Sequence, residues 1–226
     1  MNPIIVALDV ESAAEARALV RQIGRGFYKV GMELYCAAGM DYVRELLGEG
    51  NDVFLDLKFY DIGETVKRAV AQVAKTGVRF LTIHATSTSM MRAAVEGCTG
   101  SKLALLAVTV LTSFDRKDLD EMGYHCEVPD LVKLRVRMAM EAGVGGIVAS
   151  PLEASSIRAQ AGPGAILVTP GVRSAGAGKG DQKRVATPAD ALRDGANYVV
   201  MGRQITRAQD PAAEMARVLE EIAVAK

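Results

Sequence analysis

Charged residues of alternating sign recur in the first third of the chain, each within or after a short apolar run. Asp9 ends the run IIVALD, Lys29 lies in FYKVG, Asp56 and Lys58 alternate in VFLDLKF, and Asp61 follows shortly after. Neighbouring carboxylates keep a lysine protonated, and a lysine held in this way is a good general acid. The pattern therefore predicts a proton-transfer site. The alternative is a structural salt-bridge network whose charges only neutralise one another.

A second group of residues, in the last third of the chain, has the composition of an anion site. The segment TPGVR at 169–173 opens a glycine-rich stretch that ends in GDQ at 180–182, and MGR occupies 201–203. Glycine lets backbone N–H groups approach an anion, and arginine supplies a bidentate charged clamp. These residues predict a phosphate site, with a flexible loop that has incidental arginines as the alternative.

Eight short apolar runs alternate with amphipathic helical patterns along the chain, and together they predict the fold. The length and β-branched content of the runs favour buried parallel strands. We predict strands near 4–9, 27–31, 53–58, 80–84, 103–110, 146–149, 165–169 and 198–201. Eight strand–helix units predict an α/β fold, a single-domain (β/α)8 TIM barrel over residues 1–226. A doubly wound open sheet with fewer strands is the structural alternative.

Strand alternation predicts where the charged side chains point. Side chains two apart share a face, and in a barrel the carboxyl ends of the strands face the active site. Asp56 and Lys58 should therefore lie inside the third strand, with Asp9 and Lys29 at the same rim. His84 has the same phase, and we expect it to be a hydrogen-bonded wall residue rather than a base.

The connection 171–187 is long for a compact barrel, and it follows the seventh predicted strand. Long loops in compact domains are usually functional or disordered, and the loops after strands seven and eight frequently bind phosphate. We therefore predict that 171–187 takes part in the phosphate site.

Composition excludes several classes of protein. Among 226 residues, 27 Lys and Arg balance 27 Asp and Glu, which argues against a broad nucleic-acid surface. Cys36, Cys98 and Cys126 match neither a disulfide framework nor a CxxC zinc pattern. No signal peptide is visible, and the longest apolar stretch, 103–111, is too short to span a membrane. We expect a cytoplasmic protein without a nucleic-acid or membrane partner.

The ordered motifs resemble the orotidine 5'-monophosphate decarboxylase family in its bacterial stand-alone form. The segment FLDLKFYDI at 54–62 is similar to the DxKxxD signature, which a wider superfamily of sugar-phosphate aldolases and decarboxylases shares. The complete set is more specific, namely ALD at 7–9, KVGMELY at 29–35, VTVLTS at 108–113, TPGVR at 169–173, GDQ at 180–182 and MGR at 201–203.

This resemblance implies a carboxy-lyase that converts orotidine 5'-monophosphate to UMP and CO₂ in pyrimidine biosynthesis, with no metal and no organic cofactor. It implies that Lys58 delivers the proton to C6, with Asp56 and Asp61 beside it. It also implies a homodimer in which Asp61 and Thr65 reach the neighbouring subunit's site.

The resemblance implies a set of substrate contacts as well. Asp9 and Lys29 would hold the ribose hydroxyls, and Thr112 the pyrimidine side. The phosphate and its closing loop would be held by Arg173, Gln182, Gly202 and Arg203. Ile62, Thr65 and Pro170 complete the predicted substrate-binding residues.

Three other functions remain open at this stage. Gly63-Glu64 follows the signature where relatives often have Pro-Asn, and an acid there is similar to the magnesium-dependent sugar-phosphate branch. A non-catalytic nucleotide-binding barrel is a second alternative, although the intact Asp-Lys-Asp set argues against it. A structural interaction protein ranks last, because it leaves the converging charges unexplained.

Overall fold

Eight parallel strands close into a barrel in the computed structural model, which describes residues 2–175 and 186–225. Each strand pairs with the next in chain order, and β1 pairs with both β2 and β8. The strands are β1 Ile4–Ala7, β2 Phe27–Gly31, β3 Asp52–Phe59, β4 Phe80–His84, β5 Ala104–Val108, β6 Gly146–Val148, β7 Ile166–Pro170 and β8 Tyr198–Met201. The predicted TIM barrel is confirmed, and the open doubly wound sheet is wrong because no edge strand remains between β1 and β8.

Helices surround the barrel and connect its strands. They are α1 Ala13–Ile23, α2 Met32–Gly48, α3 Gly63–Ala74, α4 Thr88–Gly97, α5 Arg116–Glu121, α6 Val128–Glu141, α7 Ala154–Ala161, α8 Pro188–Arg193, α9 Arg203–Thr206 and α10 Pro211–Val224. Ser12, Thr187 and Asp210 cap α1, α8 and α10 by accepting backbone N–H groups. None of the helices in the described part of the chain is both long and apolar enough to cross a membrane.

Alternation along the strands separates two apolar layers. Residues such as Ile5, Phe54 and Val168 fill the barrel interior, while Ile4 and Leu55 pack against the helices. This is the phase that the sequence predicts for β3, in which Phe54, Asp56 and Lys58 share the inner face. Burial of both layers removes the apolar surface from water and holds the strand ends in register.

The amino-terminal end of the barrel is filled by aromatic rings. Phe27, Phe80 and Tyr198 contact one another with ring centroids 5.2 to 5.6 Å apart. The Arg79 guanidinium covers these rings at 5.1 to 5.4 Å and donates to the Tyr198 hydroxyl and the Asp52 carboxylate, each at 2.7 Å. The cavity that contains most of the predicted site residues lies at the opposite end, at the carboxyl ends of the strands.

Candidate active site

An irregularity in β3 brings its two charged side chains to the mouth of the barrel. Leu55 pairs with Leu81 and Phe59 pairs with Ile83, so β3 has extra residues between these two pairs. Within this bulge Lys58 has a φ of 50°, and it is the one non-glycine residue with a positive φ among the described residues. Such a conformation costs about 1–3 kcal/mol and is found where the surroundings enforce it, often at functional sites.

Asp9, Lys29, Asp56 and Lys58 form a row of alternating charge across three neighbouring strands. Lys29 Nζ lies 2.7 Å from Asp9 Oδ1 and 3.7 Å from Asp56 Oδ2. Lys58 Nζ donates to Asp56 Oδ1 at 2.9 Å. The convergence predicted from strand phase is therefore present. This row lines an open cavity and is not sealed inside the barrel.

The electrostatics of Asp56 favour its ionised form. Burial opposes ionisation, but the ammonium groups of Lys29 and Lys58 and hydrogen bonds from Lys58 and Thr82 outweigh it, so the pKa of Asp56 lies below its ordinary value. The result is a fixed negative charge between two lysines at the cavity floor.

Gly31 leaves the space in which the Lys29–Asp9 pair forms. A Cβ at this position would lie 2.9 Å from Lys29 Nζ and 3.0 Å from Asp9 Oδ1. Any side chain here would push the lysine or the aspartate out of place. The φ of Gly31 is −91°, which any residue can adopt, so the backbone conformation does not require glycine here. The Lys29–Asp9 pair does, because it needs the space that a Cβ would fill.

A cavity of about 620 Å³ opens above these charges at the carboxyl ends of the strands. This volume suits a ligand of nucleotide size. Its walls include nine of the predicted site residues, namely Asp9, Lys29, Asp56, Lys58, Thr112, Pro170, Arg173, Gly202 and Arg203. The lysines and carboxylates lie on one side, and the two arginines follow β7 and β8, as the sequence predicts.

The arginine side of the cavity is held by contacts between β7, α9 and α10. The ends of the 171–187 connection meet where Arg173 N donates to the carbonyl of Ala186 at 3.0 Å. Ser174 N donates to Gln204 Oε1 at 3.1 Å, and Gln204 Nε2 donates to Ser174 Oγ at 2.8 Å. These bonds join the segments on which Arg173 and Arg203 lie. Gln182 falls outside the described residues.

Asp61, Ile62 and Thr65 lie outside this cavity. All three are exposed, and Ile62 retains 77% of its accessible surface. Asp61 Oδ1 accepts the backbone N–H of Ile62 at 2.6 Å, an arrangement that fixes the turn before α3. The structure therefore does not join these residues to the Asp9–Lys58 row within one chain.

The environment of His84 differs from the sequence prediction in one respect. The prediction was a hydrogen bond to the imidazole. Among the described residues the His84 ring instead contacts the ring of Tyr60 edge to face, with the ring centroids 5.9 Å apart. Burial, Arg135 and Lys58 lower the pKa of His84, against a smaller opposing effect of Asp56. A neutral wall residue fits this position.

Sequence reasoning missed four residues that shape the site, namely Gly31, Thr82, Gln204 and Arg207. Thr82 lies two residues before His84 on β4, so strand alternation predicts that both side chains face the barrel interior. A threonine at such a position does not by itself indicate a catalytic role. Gly31 lies within the KVGMELY motif at 29–35, but only the packing around it shows why glycine is needed there. Gln204 and Arg207 lie beyond MGR, in and just after α9, and both line the cavity.

Glu64, the acid that raised the magnesium-dependent alternative, lies away from the cavity. It is exposed in the first turn of α3, and its carboxylate lies 3.5 Å from Arg68 one turn later. Within residues 2–175 and 186–225, no three His, Cys, Asp or Glu side chains converge in the manner of a metal site. The acid thus has a local partner on its own helix.

Comparison with known proteins identifies the family and agrees with the fold. The family model described as "Orotidine 5'-phosphate decarboxylase / HUMPS family" matches residues 2–218. The chain belongs to this family. The resemblance found in the motifs is confirmed, because the match covers all the residues on which that resemblance rests.

Individual relatives narrow the family further. The chain is 50% identical over 222 residues to an orotidine 5'-phosphate decarboxylase from Nitrobacter winogradskyi, and the alignment covers 97% of this chain and 92% of the relative. It is also 50% identical over 224 residues to one from Afipia carboxidovorans, with 98% and 95% covered. The crystal structure of the Lactobacillus acidophilus orotidine 5'-phosphate decarboxylase aligns with a TM-score of 0.87 at 34% identity, over 98% of this chain and 99% of that chain. The predicted enzyme class, a carboxy-lyase, is confirmed by these relatives.

Proposed function

We propose that this chain converts orotidine 5'-monophosphate to UMP and CO₂ directly, without a metal or an organic cofactor, and that Lys58 donates the proton to C6. The observation that supports this most strongly is the largely buried Asp56 carboxylate between the ammonium groups of Lys29 and Lys58 at the cavity floor. The relatives are orotidine 5'-phosphate decarboxylases, from which we infer the substrate. The site contains groups suited to the chemistry of that substrate.

The reaction breaks one carbon–carbon bond and forms one carbon–hydrogen bond. The electron pair of the C6–carboxylate bond stays on C6 as CO₂ departs, and a proton from Lys58 Nζ then completes UMP. Solvent returns a proton to the neutral lysine. Because the sp² carbanion at C6 has no adjacent carbonyl to delocalise it, a fixed ammonium aimed at that carbon is the effective form of stabilisation.

Asp56 keeps Lys58 oriented and also faces the side from which the carboxylate leaves. A fixed negative charge beside a substrate carboxylate raises the energy of the bound substrate, and this repulsion ends when CO₂ departs. The same carboxylate accepts a hydrogen bond from Lys58 Nζ at 2.9 Å and so fixes the direction of the proton donor. Asp56 therefore acts on both the leaving group and the proton donor.

The other predicted site residues divide the nucleotide between them. Asp9 and Lys29 bind the ribose hydroxyls, Thr112 lies on the pyrimidine side, and Pro170 forms part of the wall. Arg173, Gln182, Gly202 and Arg203 bind the phosphate, over which the 171–187 connection closes. Phosphate binding far from C6 contributes free energy that is realised in the transition state when the loop closes.

A homodimer explains the position of the exposed residues after β3. Asp61, Ile62 and Thr65 do not line the cavity of their own chain, so their predicted contact with substrate requires a second copy. Tyr60 and Ile62 expose 65% and 77% of their surface, which supplies apolar area for such an interface. Asp61 would then complete the charged row of the partner's site.

A cytoplasmic location also remains a prediction.

The proposal is tested by following the ultraviolet absorbance of orotidine 5'-monophosphate with purified protein in excess EDTA. We expect UMP to form at the same rate with and without the chelator. Loss of activity in EDTA with recovery on added Mg²⁺ would favour the sugar-phosphate branch. Tight UMP binding without turnover would favour a non-catalytic nucleotide-binding barrel.

A further inference from the structure

Thr82 is the β4 residue that faces the bulge in β3. It lies between Leu81 and Ile83, the two β4 residues whose partners on β3 flank Asp56 and Lys58. Its side chain is fully buried, and the described residues that line the cavity do not include it. Thr82 thus packs beneath the charged row.

The Thr82 hydroxyl forms two hydrogen bonds to the bulge. Its Oγ1 accepts the backbone N–H of Lys58 at 2.8 Å and donates to Asp56 Oδ1 at 2.9 Å. In a regular parallel pair the Lys58 N–H would bond to a carbonyl of the neighbouring strand. Here the bulge moves this N–H out of the ladder, and a side-chain oxygen replaces the carbonyl.

One hydroxyl therefore fixes both the backbone of Lys58 and the carboxylate of Asp56. The positive φ of Lys58 is retained only if its surroundings enforce it, and the bond from its N–H to Thr82 does so directly. The same Asp56 oxygen receives both the Thr82 hydroxyl and Lys58 Nζ. The direction in which Lys58 projects into the cavity consequently depends on Thr82 at two points.

We propose that Thr82 is a positioning residue for the decarboxylation, whose hydroxyl holds Lys58 and Asp56 in the geometry needed for proton transfer to C6. This inference rests on the proposed function, since it concerns the delivery of the same proton. A small displacement of a reacting group is enough to lower a rate by about 100-fold. Substrate binding depends mainly on the ribose and phosphate contacts, which Thr82 does not touch.

The test compares Thr82→Val, which keeps the shape and removes the hydroxyl, with Thr82→Ser, which keeps the hydroxyl. We expect kcat of Thr82→Val to fall about 10- to 100-fold, while KM for orotidine 5'-monophosphate changes less than about threefold. Thr82→Ser should recover kcat to within about threefold of the wild type. Thr82→Ala provides a second hydroxyl-free variant if Thr82→Val does not fold.

Thr86→Val is the matched control. Thr86 lies in the turn after β4 and is not among the described residues that line the cavity, and its buried hydroxyl has no hydrogen-bond partner among the described residues, so its replacement tests the same substitution without the positioning bonds. We expect its kcat to match the wild type.

Three results would overturn the inference: near-normal kcat in folded Thr82→Val, equal losses in Thr82→Val and Thr82→Ser, or a loss that lies in KM alone. If the wild type itself does not decarboxylate the substrate, the proposed function fails first, and the two failures are thereby distinguished.

Discussion

Three neighbouring strands contribute the groups that hold Asp56. Lys29 on β2, Lys58 on β3 and Thr82 on β4 all contact its carboxylate. A buried carboxylate is costly unless it is paired, and this pairing is sufficient to lower the pKa of Asp56 despite its burial. At the level of single residues, the site is built around one negative charge.

The lowered pKa of Asp56 has a consequence for stability. A carboxylate whose pKa is lower in the folded state stabilises the fold above its unfolded pKa of about 3.9, and that contribution is lost as pH falls through the folded value. We expect Asp56→Asn to lower the free energy of unfolding by about 1–3 kcal/mol at pH 7, with a smaller difference near pH 3. Urea unfolding at both pH values measures this.

Asp41→Asn is the control for that experiment, because Asp41 pairs with Arg44 on an exposed helix face. Exposed ion pairs contribute little, so its effect should be small at both pH values. If the loss of unfolding free energy in Asp56→Asn stays constant or grows toward acid pH, the pKa of Asp56 is not lowered in the folded state.

Gly31 gives a second prediction for a single residue. In Gly31→Ala the new Cβ collides with the mobile end of Lys29, so we expect Lys29 to move while the fold remains intact. Activity should fall about tenfold or more because a displaced charged group misaligns the site, with little change in Tm. Gly48→Ala, where a Cβ meets nothing within 4 Å, is the control. Unchanged kcat/KM in Gly31→Ala would show that the Lys29–Asp9 pair is not needed.

Between elements, the phosphate end of the site depends on how α9 and α10 hold the segment after β7. Gln204 bonds to Ser174 and to Glu214, and Arg217 donates to both Ser174 and Glu214. The hydrogen bond from Arg217, which outweighs burial, lowers the pKa of Glu214 to about 2. This network remains charged at neutral pH and connects the two arginine-bearing segments.

Removal of Gln204 should therefore weaken phosphate recognition selectively. For Gln204→Leu we expect KM for orotidine 5'-monophosphate to rise about tenfold, because three hydrogen bonds are lost, one of them to the charged Glu214 carboxylate. Inhibition by the phosphate-free nucleoside orotidine should stay unchanged. Gln160→Leu, on the exposed face of α7, is the control. Equal weakening toward both ligands would refute a role specific to the phosphate end.

Strand phase was enough to predict most of the barrel and the charged row, because both follow from a period of two residues. The strands 27–31, 80–84 and 198–201 match the predicted limits, and Asp9, Lys29, Asp56 and Lys58 converge as expected. The bulge at Lys58 was not predictable, since a regular period contains no extra residue. The contacts of Thr82 and Gln204 depend on register and on helix placement, which a single sequence does not specify.

For the whole molecule, the exposed position of Asp61 makes shared active sites a testable expectation. If each site takes Lys58 from one chain and Asp61 from the other, a hybrid of Lys58→Ala and Asp61→Ala chains contains one native site. Random exchange should then restore about a quarter of wild-type activity, because half of the dimers are hybrids with one of two sites intact. Sedimentation and activity after mixing measure this. Proven exchange with no recovery would contradict the shared site.

The turnover of Lys58→Ala in EDTA shows whether Lys58 donates the proton in a reaction without a cofactor. Lys67→Ala, which removes an exposed lysine paired with Glu96, is the matched control. We expect Lys58→Ala to lose at least about 1,000-fold in kcat while UMP binding remains measurable by calorimetry, and Lys67→Ala to match the wild type. Turnover of Lys58→Ala near the wild-type rate would rule out Lys58 as the proton donor.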